Sequence, residues 1–137
     1  MKIGIIGTGY IGLTEGLAFA DLGQHVICYD IIKEKIEQLN KGIPTFYEES
    51  IEVLLKNNLE KKSIVFTDDI KTVLYDSEII FLCVNTPENP ETGECDLYQI
   101  LNSTESIAKT SETIGNPFFI LALRSTVPVG TNKKIKE

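Results

Sequence analysis

Arginine occurs once in the 137 residues, at Arg124, and histidine once, at His25. Twenty acidic residues stand against thirteen basic ones, a formal net charge of −7. That balance gives no positive footprint for nucleic acid or an anionic membrane, and no arginine cluster for clamping a polyanion. The nearest thing to a basic spot, Lys133, Lys134 and Lys136, reads as a solvated helix face. Cysteine is scarce too. Cys28, Cys83 and Cys95 are odd in number and lack CxxC spacing, which argues against a disulfide framework or a zinc site and suits a reducing cytosol. No apolar run approaches the roughly 18 to 20 residues of a membrane helix, and no charged-then-apolar leader precedes the first strand pattern. Internal repeats, low-complexity tracts and linkers are absent as well. The expectation is a soluble, cytoplasmic, single-domain chain with no metal, nucleic-acid or membrane partner.

What is present is an alternation of short β-rich runs and helical patterns. Lys2–Ile6 is an isoleucine-rich run broken by Gly7–Gly12. Ile11 to Leu22 has helical spacing and stops at Gly23. His25–Tyr29 is a second strand ending at Asp30. Lys33–Asn40 is a helix closed by Gly42, and a loop through Pro44 leads to a third helical piece, about Glu48–Lys56, with Ile51, Leu54 and Leu55 inward. Ser63–Thr67 reads as a strand, Asp69 to Leu74 as a short helix, and Glu78 to Val84 as a strongly apolar strand. The segment Asn85–Glu94, with Pro87, Pro90 and Gly93, is a loop. Asp96 is placed to cap a helix to about Lys109, and Phe118–Leu123 is a final apolar strand before Pro128, Gly130 and another helix start. Apolar strands alternating with helices imply a parallel sheet covered on both faces, an α/β fold of the doubly wound, Rossmann type.

Gly7-Thr8-Gly9-Tyr10-Ile11-Gly12 matches GxGxxG. The six residues alone would be weak evidence, but they follow a strand, open a helix, and precede a second strand ending in an acid 18 residues after Gly12. Gly7 permits the tight turn, Gly9 lets backbone approach a pyrophosphate, and Gly12 lets helix pack on strand. The helix N-terminus offers unpaired N–H donors and a positive dipole end. Asp30 can accept from the adenine ribose hydroxyls and would repel a 2′-phosphate, which favours NAD over NADP, although Lys33 and Lys35 weaken that exclusion. A glycine-rich turn that binds nothing is the bland alternative.

Around this motif the chain resembles the UDP-glucose/GDP-mannose 6-dehydrogenases, specifically their N-terminal NAD-binding domain. The likeness is carried by Lys2–Leu13, by Gly42-Ile43-Pro44 with Tyr47-Glu48, by Val84-Asn85-Thr86-Pro87, by Asp96-Leu97, and most specifically by Arg124-Ser125-Thr126-Val127-Pro128-Val129-Gly130-Thr131. It implies that Gly7, Gly9 and Gly12 hold the pyrophosphate, that Tyr10 and Ile11 contact the cofactor at the turn, and that Asp30 binds the adenosine ribose with Lys35 close by. It also implies that Thr86 and Thr126 face the nicotinamide half. In the intact enzyme it implies a homodimer that oxidises the C6 alcohol of a nucleotide sugar to a carboxylate with two NAD, through a cysteine nucleophile in a further domain. Two segments depart from the family: Glu49-Ser50 stands where Pro-Gly usually follows the glutamate, and the loop Glu88–Cys95 is longer and more acidic. Both leave the identity of the sugar open.

No catalytic residue is assigned to this chain. Its end at Glu137, just inside a helix pattern, reads as a truncation. Cys28 and Cys83 read as core residues, Cys95 as an exposed loop residue with no base beside it, and His25 as a surface residue. Glu48 with Glu49, and Asp68 with Asp69, are adjacent acids of the sort that diverge or cap helices. Ser125 has no nameable base. Two other readings remain: a different hydroxyacid-type dehydrogenase, disfavoured by the Ser125–Thr131 run, and a non-enzymatic nucleotide-sensing domain.

Overall fold

A computed structural model describes residues 1–115 and 118–136. Five parallel strands alternate with helices: β1 (Lys2–Ile6), α1 (Tyr10–Asp21), β2 (His25–Tyr29), α2 (Lys33–Asn40), α3 (Ile51–Glu60), β3 (Ile64–Thr67), α4 (Ile70–Asp76), β4 (Ile79–Leu82), α5 (Tyr98–Ile114), β5 (Ile120–Leu123) and α6 (Thr131–Lys136). The sheet order is β3-β2-β1-β4-β5, with every pair parallel. This is the expected doubly wound Rossmann-type α/β fold. The order reverses at β1, between β2 and β4, and ligands of such sheets sit beyond the carboxyl ends of the strands at that reversal.

Strand periodicity separates the core into two layers. Ile3 and Ile5 join Leu13 and Leu17 of α1, Leu39 of α2 and Leu55 of α3 on one face. Ile6, Ile80 and Leu82 join Val73 and Leu74 of α4 and Ile100 of α5 on the other. Each side chain fully buried in this way stabilises by about 1.5–3 kcal/mol relative to exposure. The flanks differ: β1 is buried along Ile3–Ile6, whereas every residue of the edge strand β5 is at least partly exposed, Ile120 most of all.

β1 is found over Lys2–Ile6, β2 over His25–Tyr29 and α2 over Lys33–Asn40, as expected. Two helices differ. α3 starts at Ile51, not Glu48, because Ser50 adopts a left-handed conformation (φ 69°) that ends the preceding turn, and it continues to Glu60. α5 starts at Tyr98 and runs five residues past Lys109, because nothing stops it before Gly115, a left-handed terminus. Asp96 is not its N-cap residue, which is Leu97, but the Asp96 carboxylate does accept the Tyr98 N–H (2.8 Å). β3, β4 and β5 are each trimmed relative to the apolar runs that contain them. Glu137 lies outside the described residues.

Candidate cofactor site

The turn between β1 and α1 is built from glycines under different demands. Gly7 sits at φ +98°, and a Cβ there would lie 2.8 Å from the Cys83 carbonyl oxygen after β4. A Cβ on Gly12 would lie 1.9 Å from the Gly7 carbonyl oxygen, so the helix could not close on the strand. Gly9 is the opposite case: its nearest neighbour would be Asn85 Oδ1 at 3.9 Å, so the space before it is open. No side chain caps α1, whose N-cap residue is Gly9.

Asp30 is 6% exposed and anchors this turn. Its Oδ2 accepts from the Thr8 N–H (2.9 Å) and the Thr8 hydroxyl (2.8 Å), its Oδ1 accepts from the Ile32 N–H (3.0 Å), and the Lys35 ammonium lies 3.5 Å from Oδ2. Burial alone would raise the carboxyl's pKa. The donors of Thr8 and Ile32, with Lys35, outweigh it and hold the group below the usual carboxylate range. One acceptor direction on Oδ1 is left for a further donor. Thr8 is the residue that motif reading passes over. A hydroxyl at the first variable position of the turn, facing an acid at the end of the next strand, is the sequence signal for it.

Two cavities meet at Gly9. One, of 380 Å³, is bordered by Gly7, Asp30, Ile32, Lys35 and Tyr98. The other, of 550 Å³, is bordered by Tyr10, Ile11, Thr86, Arg124 and Thr126. Gly9, Cys83, Val84, Asn85 and Gln99 border both. Of the expected site residues, Gly12 borders neither and acts from beneath the turn. The second cavity is framed by loop-to-loop bonds. The Thr86 hydroxyl donates to the Thr126 carbonyl (2.9 Å), and the Ser125 hydroxyl donates to the Val84 carbonyl (2.6 Å), tying together the segments after β4 and β5. The Tyr10 hydroxyl donates to Glu48 Oε2 (2.9 Å) while its ring tilts against Phe46, with centroids 5.1 Å apart. The Glu48 carboxylate pushes the phenol above its ordinary pKa.

Cys95 departs from its exposed-loop expectation: it is half-buried and its thiol points a weak bond at the Thr126 carbonyl (3.8 Å). Cys28 and Cys83 are buried as expected. Burial pushes the Cys83 thiol up to about 12 and Cys28 higher still, so neither offers a thiolate near neutrality. Asp69 caps α4 through the Lys71 N–H and Asp68 pairs with Lys33, the bland roles expected of adjacent acids. Among the described residues no cluster of His, Cys, Asp and Glu is placed to hold a metal ion, and no helix is long and apolar enough to cross a membrane.

A glycine turn opening a helix at the reversal of a 3-2-1-4-5 parallel sheet, with an acid at the end of β2, defines a dinucleotide-binding domain. The family described as "UDP-glucose/GDP-mannose dehydrogenase family, NAD binding domain" matches residues 1–137. The chain belongs to that family, as its NAD-binding domain. It is 38% identical over 135 residues to a UDP-glucose 6-dehydrogenase of Bacillus subtilis, a match covering 98% of this chain and 28% of that protein. It is 39% identical over 137 residues to an uncharacterised protein of Methanocaldococcus jannaschii, covering all of this chain and 15% of that one. Among solved structures, a ternary complex of GDP-mannose dehydrogenase from Pseudomonas aeruginosa superposes with a TM-score of 0.93 at 30% identity, over 98% of this chain and 30% of that one. The chain thus spans less than a third of the length of each of these proteins.

Proposed function

We propose that this chain is the cofactor-holding part of a nucleotide-sugar 6-dehydrogenase. Gly7, Gly9 and Gly12 shape the seat of the pyrophosphate, where the open front of Gly9 meets the uncapped start of α1. The adenosine half lies in the first cavity, its ribose on the remaining acceptor face of Asp30 with Lys35 beside it. The nicotinamide half lies in the second, against Tyr10, Ile11, Thr86 and Thr126. When bound, NAD supplies the ring that accepts a hydride. The chain's own residues orient that ring and hold the ribose and phosphates.

The intact enzyme would oxidise the C6 alcohol of UDP-glucose or a related sugar nucleotide to the uronate, work as a homodimer and reside in the cytoplasm. Residues 1–137 form its NAD-binding domain, and the substrate-binding, nucleophile-bearing domain is separate from it. This chain alone binds NAD without turning a substrate over. The observation that carries this reading is the meeting of the two cavities at Gly9, directly before the helix start. Fluorescence titration with NADH and NADPH tests it: NADH is expected to bind more tightly, and Asp30→Ala to weaken it. Equal affinity for the two cofactors, or indifference to Asp30→Ala, would overturn the role given to Asp30.

A further inference from the structure

The residue at the junction of β5 and the Ser125–Thr131 segment, Arg124, is held by a residue one turn inside α1. Glu15 Oε1 accepts from Arg124 Nε (2.6 Å) and from Nη2 of the same guanidinium, a two-pronged pairing between positions 109 apart in sequence. The other carboxylate oxygen, Oε2, is buried and has no hydrogen-bond partner among the described residues. The carboxylate is therefore partly desolvated, and its field is felt at Arg124 and at Cys83 nearby. Arg124 itself is half-exposed, with a side-chain exposure of 50%, and among the described residues it is the sole charged side chain bordering the second cavity.

We propose that Glu15 and Arg124 set which redox state of the cofactor this site prefers. The inference rests on placing the nicotinamide half in the second cavity. Oxidised nicotinamide carries a positive charge and the reduced ring carries none. An unmatched guanidinium beside the ring would therefore penalise NAD⁺ and leave NADH untouched. Glu15 matches that charge without itself bordering the cavity, so the pair presents a near-neutral wall and the oxidised cofactor is admitted. An enzyme that consumes NAD⁺ as its oxidant needs that admission. Glu15 is thus a positioning residue acting through Arg124: it fixes the guanidinium's geometry and cancels its charge.

The test measures dissociation constants of the 137-residue chain for NAD⁺, NADH and ADP-ribose, which lacks the nicotinamide ring. Glu15→Gln, close in shape, is expected to raise the ratio Kd(NAD⁺)/Kd(NADH) by about five- to tenfold at low salt, the scale of one uncancelled charge at a half-exposed site. Arg124→Met is expected to lower the ratio, and the double substitution to restore it. ADP-ribose affinity should stay within about twofold throughout, and the shift should shrink at high ionic strength. Because Arg124 is half-exposed, its variant keeps the test open should Glu15→Gln fold poorly. A ratio unmoved by either substitution while ADP-ribose still binds would overturn the inference, and so would loss of all three ligands in parallel, the mark of a merely structural role. Failure of the unaltered chain to bind ADP-ribose would overturn the site assignment itself, and this inference with it.

Discussion

The two ends of the cleft are made differently. At the β2 end, a single buried carboxylate gathers two backbone N–H groups and a hydroxyl, and the turn is rigid around it. At the β5 end, the walls are loops tied by hydroxyl-to-carbonyl bonds, the charged group is half-exposed, and β5 is an edge strand with Ile120 largely in solvent. The first end is set before any ligand arrives. The second is more exposed to solvent, a feature that goes with easier local opening. Under the cofactor placement proposed above, that asymmetry would hold one half firmly and leave the other accessible.

The strongest way to break the contrast is at the turn itself. Gly12→Ala places a methyl against the Gly7 carbonyl and is expected to destabilise the chain by about 3 kcal/mol or more, read by chemical denaturation. Gly9→Ala meets nothing closer than 3.9 Å. It should change stability by no more than about 1 kcal/mol, the scale of an N-cap substitution, and weaken NADH at least about tenfold, a loss near 1.4 kcal/mol. Equal stability losses at the two glycines would dissolve the distinction between packing and approach.

Asp30→Asn comes next. It sets an amide NH₂ among donors and strands one of them, at a cost of about 1–3 kcal/mol. It should also narrow the gap between NADH and NADPH. The acid side of the stability profile sharpens this further. The folded Asp30 pKa lies below its unfolded value. Its contribution is therefore complete above the ordinary carboxylate value of about 4, and it is lost as pH falls through the lower, folded value. Denaturation curves between pH 6 and 2 should show that component in the unaltered chain and not in Asp30→Asn.

At the other end the effects are smaller. Ser125→Ala removes the bond to the Val84 carbonyl and is expected to cost about 1 kcal/mol, with NADH weakened more than ADP-ribose. Tyr10→Phe gives up an exposed bond to Glu48 and should change stability by less than about 0.5 kcal/mol, read by thermal melting. A Ser125 effect as large as that of Asp30 would mean that both ends are equally preset.

The fold was legible because its signals are local. Lys2–Ile6, the glycine turn and His25–Tyr29 each declare themselves within a few residues, and their order implies the parallel sheet. Element ends were less legible, since Ser50's left-handed backbone and the absence of a stop before Gly115 depend on conformation as well as composition. The site divides the same way. The glycines, Asp30 and the two threonines stand at motif positions. Thr8 with Asp30, Tyr10 with Glu48 and Glu15 with Arg124 are side-chain pairs 22, 38 and 109 residues apart, brought together by folding and carrying no periodicity of their own.

The strand order has a consequence for how the molecule comes into being. β1, first in sequence, is central, and its second neighbour is β4, with Ile3 alongside Ile79. Every sheet pairing is parallel and none can close through a hairpin, so the entropy of large loops is spent before the contacts that offset it are made. On the ribosome the glycine turn emerges before β4, with one side of β1 unpaired. The carbonyl of Cys83 that crowds Gly7 follows 76 residues later. The glycine turn is thus made well before its surroundings are complete, and a nascent chain stalled before β4 would carry the motif without the site.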